Sequence, residues 1–153
     1  MRGEGLELQL TPEQSEVGRA RRETASHLRS GGLSEGDASR CAMIVGELVA
    51  NAVEYGDFDR DEAAIGVRLQ VNAHTILIQV ANPAGLRCLL NLPELDRTLR
   101  SARERRGLAD GFQQKARGIP RIALEGRATL SYSMDEDLTL NAFAVTTSTG
   151  NAA

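Results

Sequence analysis

In the string Glu47-Leu-Val-Ala-Asn51-Ala-Val-Glu-Tyr55-Gly56, a carboxylate and an amide stand four positions apart. On a helix that spacing places them one above the other, with Tyr55 a further turn along and Glu54 close by. The opposite stripe, Cys41, Val45, Leu48 and Ala52 flanked by Ala38, Val49 and Val53, is apolar and is expected to dock on a sheet. Glu47 and Asn51 therefore border a core and project to its rim. Both side chains carry oxygens, the atoms that a hard cation takes as ligands. Solvated helix faces carry such pairs as well.

The elements that must position this pair follow from periodicity and punctuation. Leu6 to Leu10 alternates as a half-buried strand, and Thr11-Pro12-Glu13-Gln14 has the form of a capping box that opens a helix from about Pro12 to Leu28. Gly31-Gly32 ends it. Ser34-Glu35-Gly36-Asp37 starts a second helix that runs to about Tyr55, where Gly56 is expected to take the left-handed C-terminal conformation. Ile65 to Val71 and Thr75 to Ala81 read as a hairpin across Asn72-Ala73-His74. The second of these strands is apolar enough to be buried on both faces in its middle, which places it near the sheet centre. Asn82-Pro83-Ala84-Gly85 stops it.

From Leu86 to Lys115 the pattern weakens to a helical piece near Pro93 to Arg105 and then a stretch without a period, expected to be a long, mobile insertion. Arg117-Gly118-Ile119-Pro120 leads into a short helix to Glu125. Strands at about Ala128 to Met134 and Leu138 to Val145 close the chain, and the polar tail from Thr146 is expected to fray. Helices gathered on one face of a mixed, mostly antiparallel sheet give a two-layer α/β (α+β) sandwich. The expected organisation is one domain over residues 1–146, with a lid region at about 86–116 and a flexible tail at 147–153.

Composition narrows the function classes. The chain has 153 residues, 41% hydrophobic and 25% charged, enough for one core. With 3% aromatic residues and a net charge of −3, it offers neither a stacking platform nor a global field for nucleic acid. No apolar window reaches the roughly 18 residues a membrane span needs, so a cytoplasmic protein is expected. Cys41 and Cys88 are far apart, lack metal-site spacing and read as buried free thiols, while His27 and His74 read as a surface helix residue and a turn residue.

ELVANAVEYG closely resembles the N box of the GHKL (Bergerat-fold, histidine-kinase-like) ATPase superfamily, and above all the corresponding helix of the anti-sigma factor serine/threonine kinases. The resemblance implies that Glu47 is the catalytic base and that Asn51 ligates Mg²⁺ bridging the phosphates of ATP. The family's next motif is a strand ending in Asp and glycines, whose carboxylate accepts a hydrogen bond from the adenine amino group. Here the strand ends in Asn82-Pro83-Ala84-Gly85: Asn82 can still accept that bond, without the charge that strengthens it, and Pro83 and Ala84 lack the freedom of glycine. The third motif is a Gly-rich turn holding phosphates at a helix start. Ala116-Arg117-Gly118-Ile119-Pro120 retains Gly118 and replaces the earlier glycine with Ala116. A plain loop-to-helix junction looks much the same.

The lid position is basic, with Arg97, Arg100, Arg103, Arg105, Arg106, Lys115, Arg117 and Arg121 against Glu104 and Asp110. Such a field suits triphosphate oxygens or an acidic partner, and also an ordinary solvated helix. By resemblance the nucleotide contacts fall to Asn51, Asn82, Gly85, Lys115, Arg117 and Gly118. The functional expectation is an ATP-binding bacterial regulator in a partner-switching or signalling pathway, holding a sigma factor or STAS-domain antagonist and acting as a serine/threonine kinase. The alternative is a degenerate module of the same fold that works by protein contacts alone. A homodimer pairing its apolar first strands follows by analogy. A sensor histidine kinase is disfavoured because no helix pair carries a phosphoacceptor His.

Overall fold

The computed structural model describes residues 5–56, 58, 64–84, 121–123 and 125–149. Strand β1 (Leu6–Leu10) is followed by helices α1 (Ser15–Ser30) and α2 (Glu35–Tyr55), the hairpin β2 (Ile65–Val71) and β3 (Thr75–Pro83), and the closing hairpin β4 (Thr129–Met134) and β5 (Thr139–Thr147). The strands form one sheet in the order β1-β2-β3-β5-β4, and each neighbouring pair is antiparallel. The parallel component expected of a mixed sheet is thus absent among the described strands. Two hairpins and an edge strand supply all their pairing without the crossover that parallel strands require.

Both helices lie on one face of this sheet, α2 over β2 and β3 and α1 beside it over β1. The register explains what they cover. Leu8, Val67, Val80 and Ala142 stand in a row across four strands, as do Leu69, Ile78, Ala144 and Leu130, all buried. Complete burial of each large aliphatic side chain contributes roughly 1.5–3 kcal/mol. On β3 only the even positions are buried; Thr75, Leu77, Gln79, Ala81 and Pro83 remain partly accessible. The strand is central, as its apolarity suggested, but only one of its faces is fully covered, because both helices pack on the same side.

Helix α2 buries the whole stripe from Ala38 to Ala52 and also Met43, Ile44 and Gly46, with α1 packed against a second side. Ser34 caps it by accepting a hydrogen bond from the Asp37 amide at 3.1 Å. Two of the expected helix ends differ. Helix α1 starts at Ser15, because Glu13 N donates to Thr11 O and Glu16 N to Glu13 O, tightening residues 11–16 into turns, and Gln14 makes no side-chain cap. Gly56 is extended (φ −71°, ψ 157°) and not left-handed. Its value is close approach: a Cβ there would fall 2.6 Å from the Phe58 ring. Among the described residues the left-handed glycine is Gly32 (φ 84°), which closes α1 while Leu33 N donates to Leu28 O.

Strand β3 also continues through Asn82 and Pro83, paired with Leu140 and Thr139 of β5, where the Asn-Pro pair was expected to stop it. Proline is tolerated at a strand end, where a missing N–H breaks no ladder. At the other end of the sheet, the segment expected to fray is anchored. Thr147 belongs to β5, Ser148 N donates to His74 O, and Thr149 donates to Asp37 from its amide at 3.0 Å and its hydroxyl at 2.8 Å. Arg40 closes this clasp, with Nη1 2.8 Å from Asp37 Oδ1 and Nη2 donating to Thr147 O at 2.7 Å. Asp37 is fully buried. Burial opposes its charge, yet the bonds from Thr149 and Arg40 outweigh that and hold its carboxyl below the ordinary value of 3.8.

Cys41 is a buried free thiol, as expected, and burial pushes its pKa up to about 11, so it stays protonated at neutral pH. Cys88 lies outside the described residues.

Candidate functional site

The clasp fixes the direction of α2 relative to the sheet. Thr149 follows β5 past the point where Thr147 pairs with Thr75, the first residue of β3, so Asp37 near the start of α2 sits at that end of the sheet. A helix rising 1.5 Å per residue carries Asn51 about 21 Å from Asp37, and a strand rising 3.3 Å carries Asn82 about 23 Å from Thr75. Because α2 packs along β2 and β3, both run towards the opposite end of the sandwich. Glu47 sits one helical turn short of Asn51 on the same side of α2.

Asn51 is half-buried and Glu47 keeps 25% of its side-chain surface exposed, consistent with a rim above the core. Glu47 is not free. Its Oε1 accepts a hydrogen bond from Arg121 Nη1 at 2.9 Å, and Arg121 Nε bonds Glu125 Oε2 at 2.9 Å. Residues 121–123 are helical, so this ion pair ties the turn after the third sequence motif to α2. The pKa of Arg121 is raised, first by the hydrogen bond to Glu125 and further by Glu47, against the opposing effect of burial. The guanidinium stays charged throughout.

Asn82 lies deeper than its place at a strand end suggests, 6% exposed on the helix-facing side of β3 in alternation with Ile76, Ile78 and Val80. Its Nδ2 donates to the carbonyl of Pro83 at 2.9 Å. That bond occupies a donor and orients the amide, leaving Oδ1 as the acceptor it can offer. Ala84 and Leu140 form a small apolar cluster beside it, with Tyr132 and Met134 packed against them. The site thus has an apolar floor and an amide at its edge.

Glu47, Asn51 and Asn82 are brought to one end of the fold. Gly85, Lys115, Arg117 and Gly118, and the lid at 86–116, lie outside the described residues. Among the described residues no three His, Cys, Asp or Glu gather as a metal cluster. The donor chemistry nevertheless fits Mg²⁺: the amide oxygen of Asn51 is a hard ligand, and Mg²⁺ is commonly held by one or two protein oxygens together with substrate phosphates. Sequence reasoning grouped Arg121 with the lid cations and did not see its bond to Glu47. The Arg121/Glu125 spacing of four was a legible signal for half of that contact.

A two-layer sandwich whose second helix delivers an acid and an amide to the end of the central strand defines a domain of Bergerat type. The chain belongs to the histidine kinase-like ATPase domain family, whose pattern matches residues 9–112. That match spans α2 and β3 and ends before Ala116 to Ile122, so the third motif stands on its own residues. The fold is similar to a chain in the crystal structure of the SiaB–SiaC complex from Pseudomonas aeruginosa, with a TM-score of 0.63 and 17% identity over 92% of this chain and 88% of that one. At that identity the likeness speaks for the fold. No curated protein matches the chain. Among the described residues, no helix is long and apolar enough to cross a membrane.

Proposed function

We propose that this protein is a bacterial, cytoplasmic ATP-binding regulator of the anti-sigma factor and serine/threonine kinase type, working in a partner-switching or signalling pathway. The observation that carries the reading is the delivery of Glu47, Asn51 and Asn82 to one end of the sandwich by α2 and β3. Asn51 holds Mg²⁺, which supplies charge neutralisation to the phosphates when bound. Asn82 accepts from the adenine amino group, and Gly85, Lys115, Arg117 and Gly118 complete the nucleotide contacts. Glu47 takes the proton of a partner serine hydroxyl as that oxygen bonds to the γ-phosphorus and ADP leaves.

The partner is a protein such as a sigma factor or a STAS-domain antagonist. Support comes from the similar fold in the SiaB–SiaC complex, an assembly of two proteins. Among the described residues strand β1 is an edge of the sheet, paired only with β2, so antiparallel pairing of two β1 strands is the form a homodimer takes.

Two observations favour a second reading, a module that has lost the nucleotide and acts by protein contacts alone. Glu47 is already neutralised by Arg121, and Pro83 and Ala84 stiffen the strand end where a base would approach. Titration calorimetry separates the two. The first reading expects saturable ATP binding that strengthens when Mg²⁺ is added; absence of heat at millimolar ATP selects the second.

A further inference from the structure

The Glu47–Arg121 pair is built to be exchanged. Its two side chains retain 25% and 45% of their surface, and pairs this open contribute about 0–1 kcal/mol, so little is lost when one opens. The bonds to carboxylates use Nε and Nη1 of a guanidinium that has five donors, leaving the Nη2 edge uncommitted among the described residues. Glu125 is on the same turn as Arg121 and grips Nε independently of α2. If Glu47 lets go, Glu125 remains a partner for the guanidinium on its own turn. Asn51 stands one helical turn beyond Glu47, about 5–6 Å away at the Cβ atoms, so phosphate oxygens gathered at Asn51 would lie next to the carboxylate that this guanidinium holds.

We propose that Arg121 is a phosphate-responsive positioning residue: it holds Glu47 while the site is empty and exchanges that carboxylate for a phosphate of the arriving nucleotide. This inference rests on the nucleotide-site reading above. A guanidinium matches the geometry of a phosphate as well as that of a carboxylate, and a terminal phosphate carries more charge, so the exchange runs towards the nucleotide. Until then Glu47 is occupied and oriented towards Arg121. Once the phosphate takes the guanidinium, the carboxylate is released beside the group whose proton it is to accept. The device suppresses Glu47 until a phosphate is present, and Glu125 remains a partner of Arg121 in both states.

The test is a binding cycle on the full chain, titrating ATP and AMP with Mg²⁺ into the wild type, R121Q, E47Q and the double variant. Arg121→Gln is expected to weaken ATP binding about tenfold, the size of one charge-assisted phosphate contact at an open site, and to leave AMP binding unchanged. Glu47→Gln is expected to tighten ATP binding a few-fold by freeing the guanidinium, and to do nothing further once Arg121 is already Gln. Equal effects of Glu47→Gln in both backgrounds, or equal loss of ATP and AMP on Arg121→Gln, would overturn the exchange while leaving the nucleotide site standing. A wild type that binds no ATP removes the nucleotide site, and the exchange with it.

Discussion

Asp37→Ala is expected to destabilise the fold by about 3 kcal/mol and to lower its Tm by roughly 10 °C, the largest effect of any single polar truncation among the described residues. Asp37 is fully buried and receives Arg40 Nη1 together with the amide and hydroxyl of Thr149. Removing the carboxylate leaves the buried Arg40 guanidinium without its counter-charge, and its Nε already has no partner among the described residues. It also unties Thr149 from α2, leaving the bond from Arg40 Nη2 to Thr147 O to hold the end of β5 to the helix. Asp37→Asn, which keeps an acceptor for Thr149, is expected to cost less than Asp37→Ala. Thermal and urea denaturation of the three proteins check both magnitude and order.

The same residue sets an acid limb. Its folded-state pKa lies below the ordinary 3.8, so just below that value the unfolded chain binds a proton more readily than the folded one. The contribution of Asp37 is complete above the unfolded value and is lost as pH falls through the folded one. Asp37→Ala flattens that limb of a stability–pH curve. An unchanged acid limb would mean that other carboxylates govern acid unfolding.

Asn51→Ala is expected to weaken ATP binding on the order of 100-fold in the presence of Mg²⁺, about 2.7 kcal/mol, and only slightly when Mg²⁺ is chelated. The asymmetry matters more than the size. An amide oxygen that ligates the cation matters only when the cation is there, whereas a side chain that merely supports α2 affects both conditions alike. Asn51 is half-buried at the rim, and truncation to Ala leaves the apolar stripe of the helix intact and raises its helix propensity. The variant therefore folds, and a lost Mg²⁺ response belongs to the site. Calorimetry with and without chelator reads the difference directly.

The helix carrying this site was legible because three signals agreed: the Ser34 cap, the apolar stripe from Ala38 to Ala52 and the N-box string itself. Strand β1 and the two hairpins were legible for a similar reason, since period-two alternation and short turns fix register locally. What could not be read were contacts between residues distant in sequence. Asp37 looked like an ordinary acid in the first turn of a helix, yet it binds a residue 112 positions away. Arg121 looked like one of many lid cations, yet it pairs with Glu47 across 74 positions. Gly56 shows the opposite limit: a glycine after a helix predicts a left-handed cap, but the ring of Phe58 demanded close approach instead.

Asn82 shows how much a sequence departure can leave intact. It replaces the acid of the family's adenine motif, and sequence alone shows only the lost charge. The structure adds that the amide is buried on the helix-facing side of β3 and that one of its two donors is taken by Pro83, which orients the oxygen proposed above to accept from adenine. Alanine at 84 supplies part of the apolar floor next to it. In the proposed nucleotide site, a neutral, pre-oriented amide would stand where the family's motif has an acid and glycines.

The most direct measurement of the proposed nucleotide site is a crystal structure with a non-hydrolysable ATP analogue and Mg²⁺. The account predicts the adenine amino group within hydrogen-bond distance of Asn82 Oδ1, a cation on the amide oxygen of Asn51, and Arg121 turned from Glu47 to a phosphate. An analogue bound elsewhere, or none bound at saturating concentration with Glu47 still paired to Arg121, would contradict it.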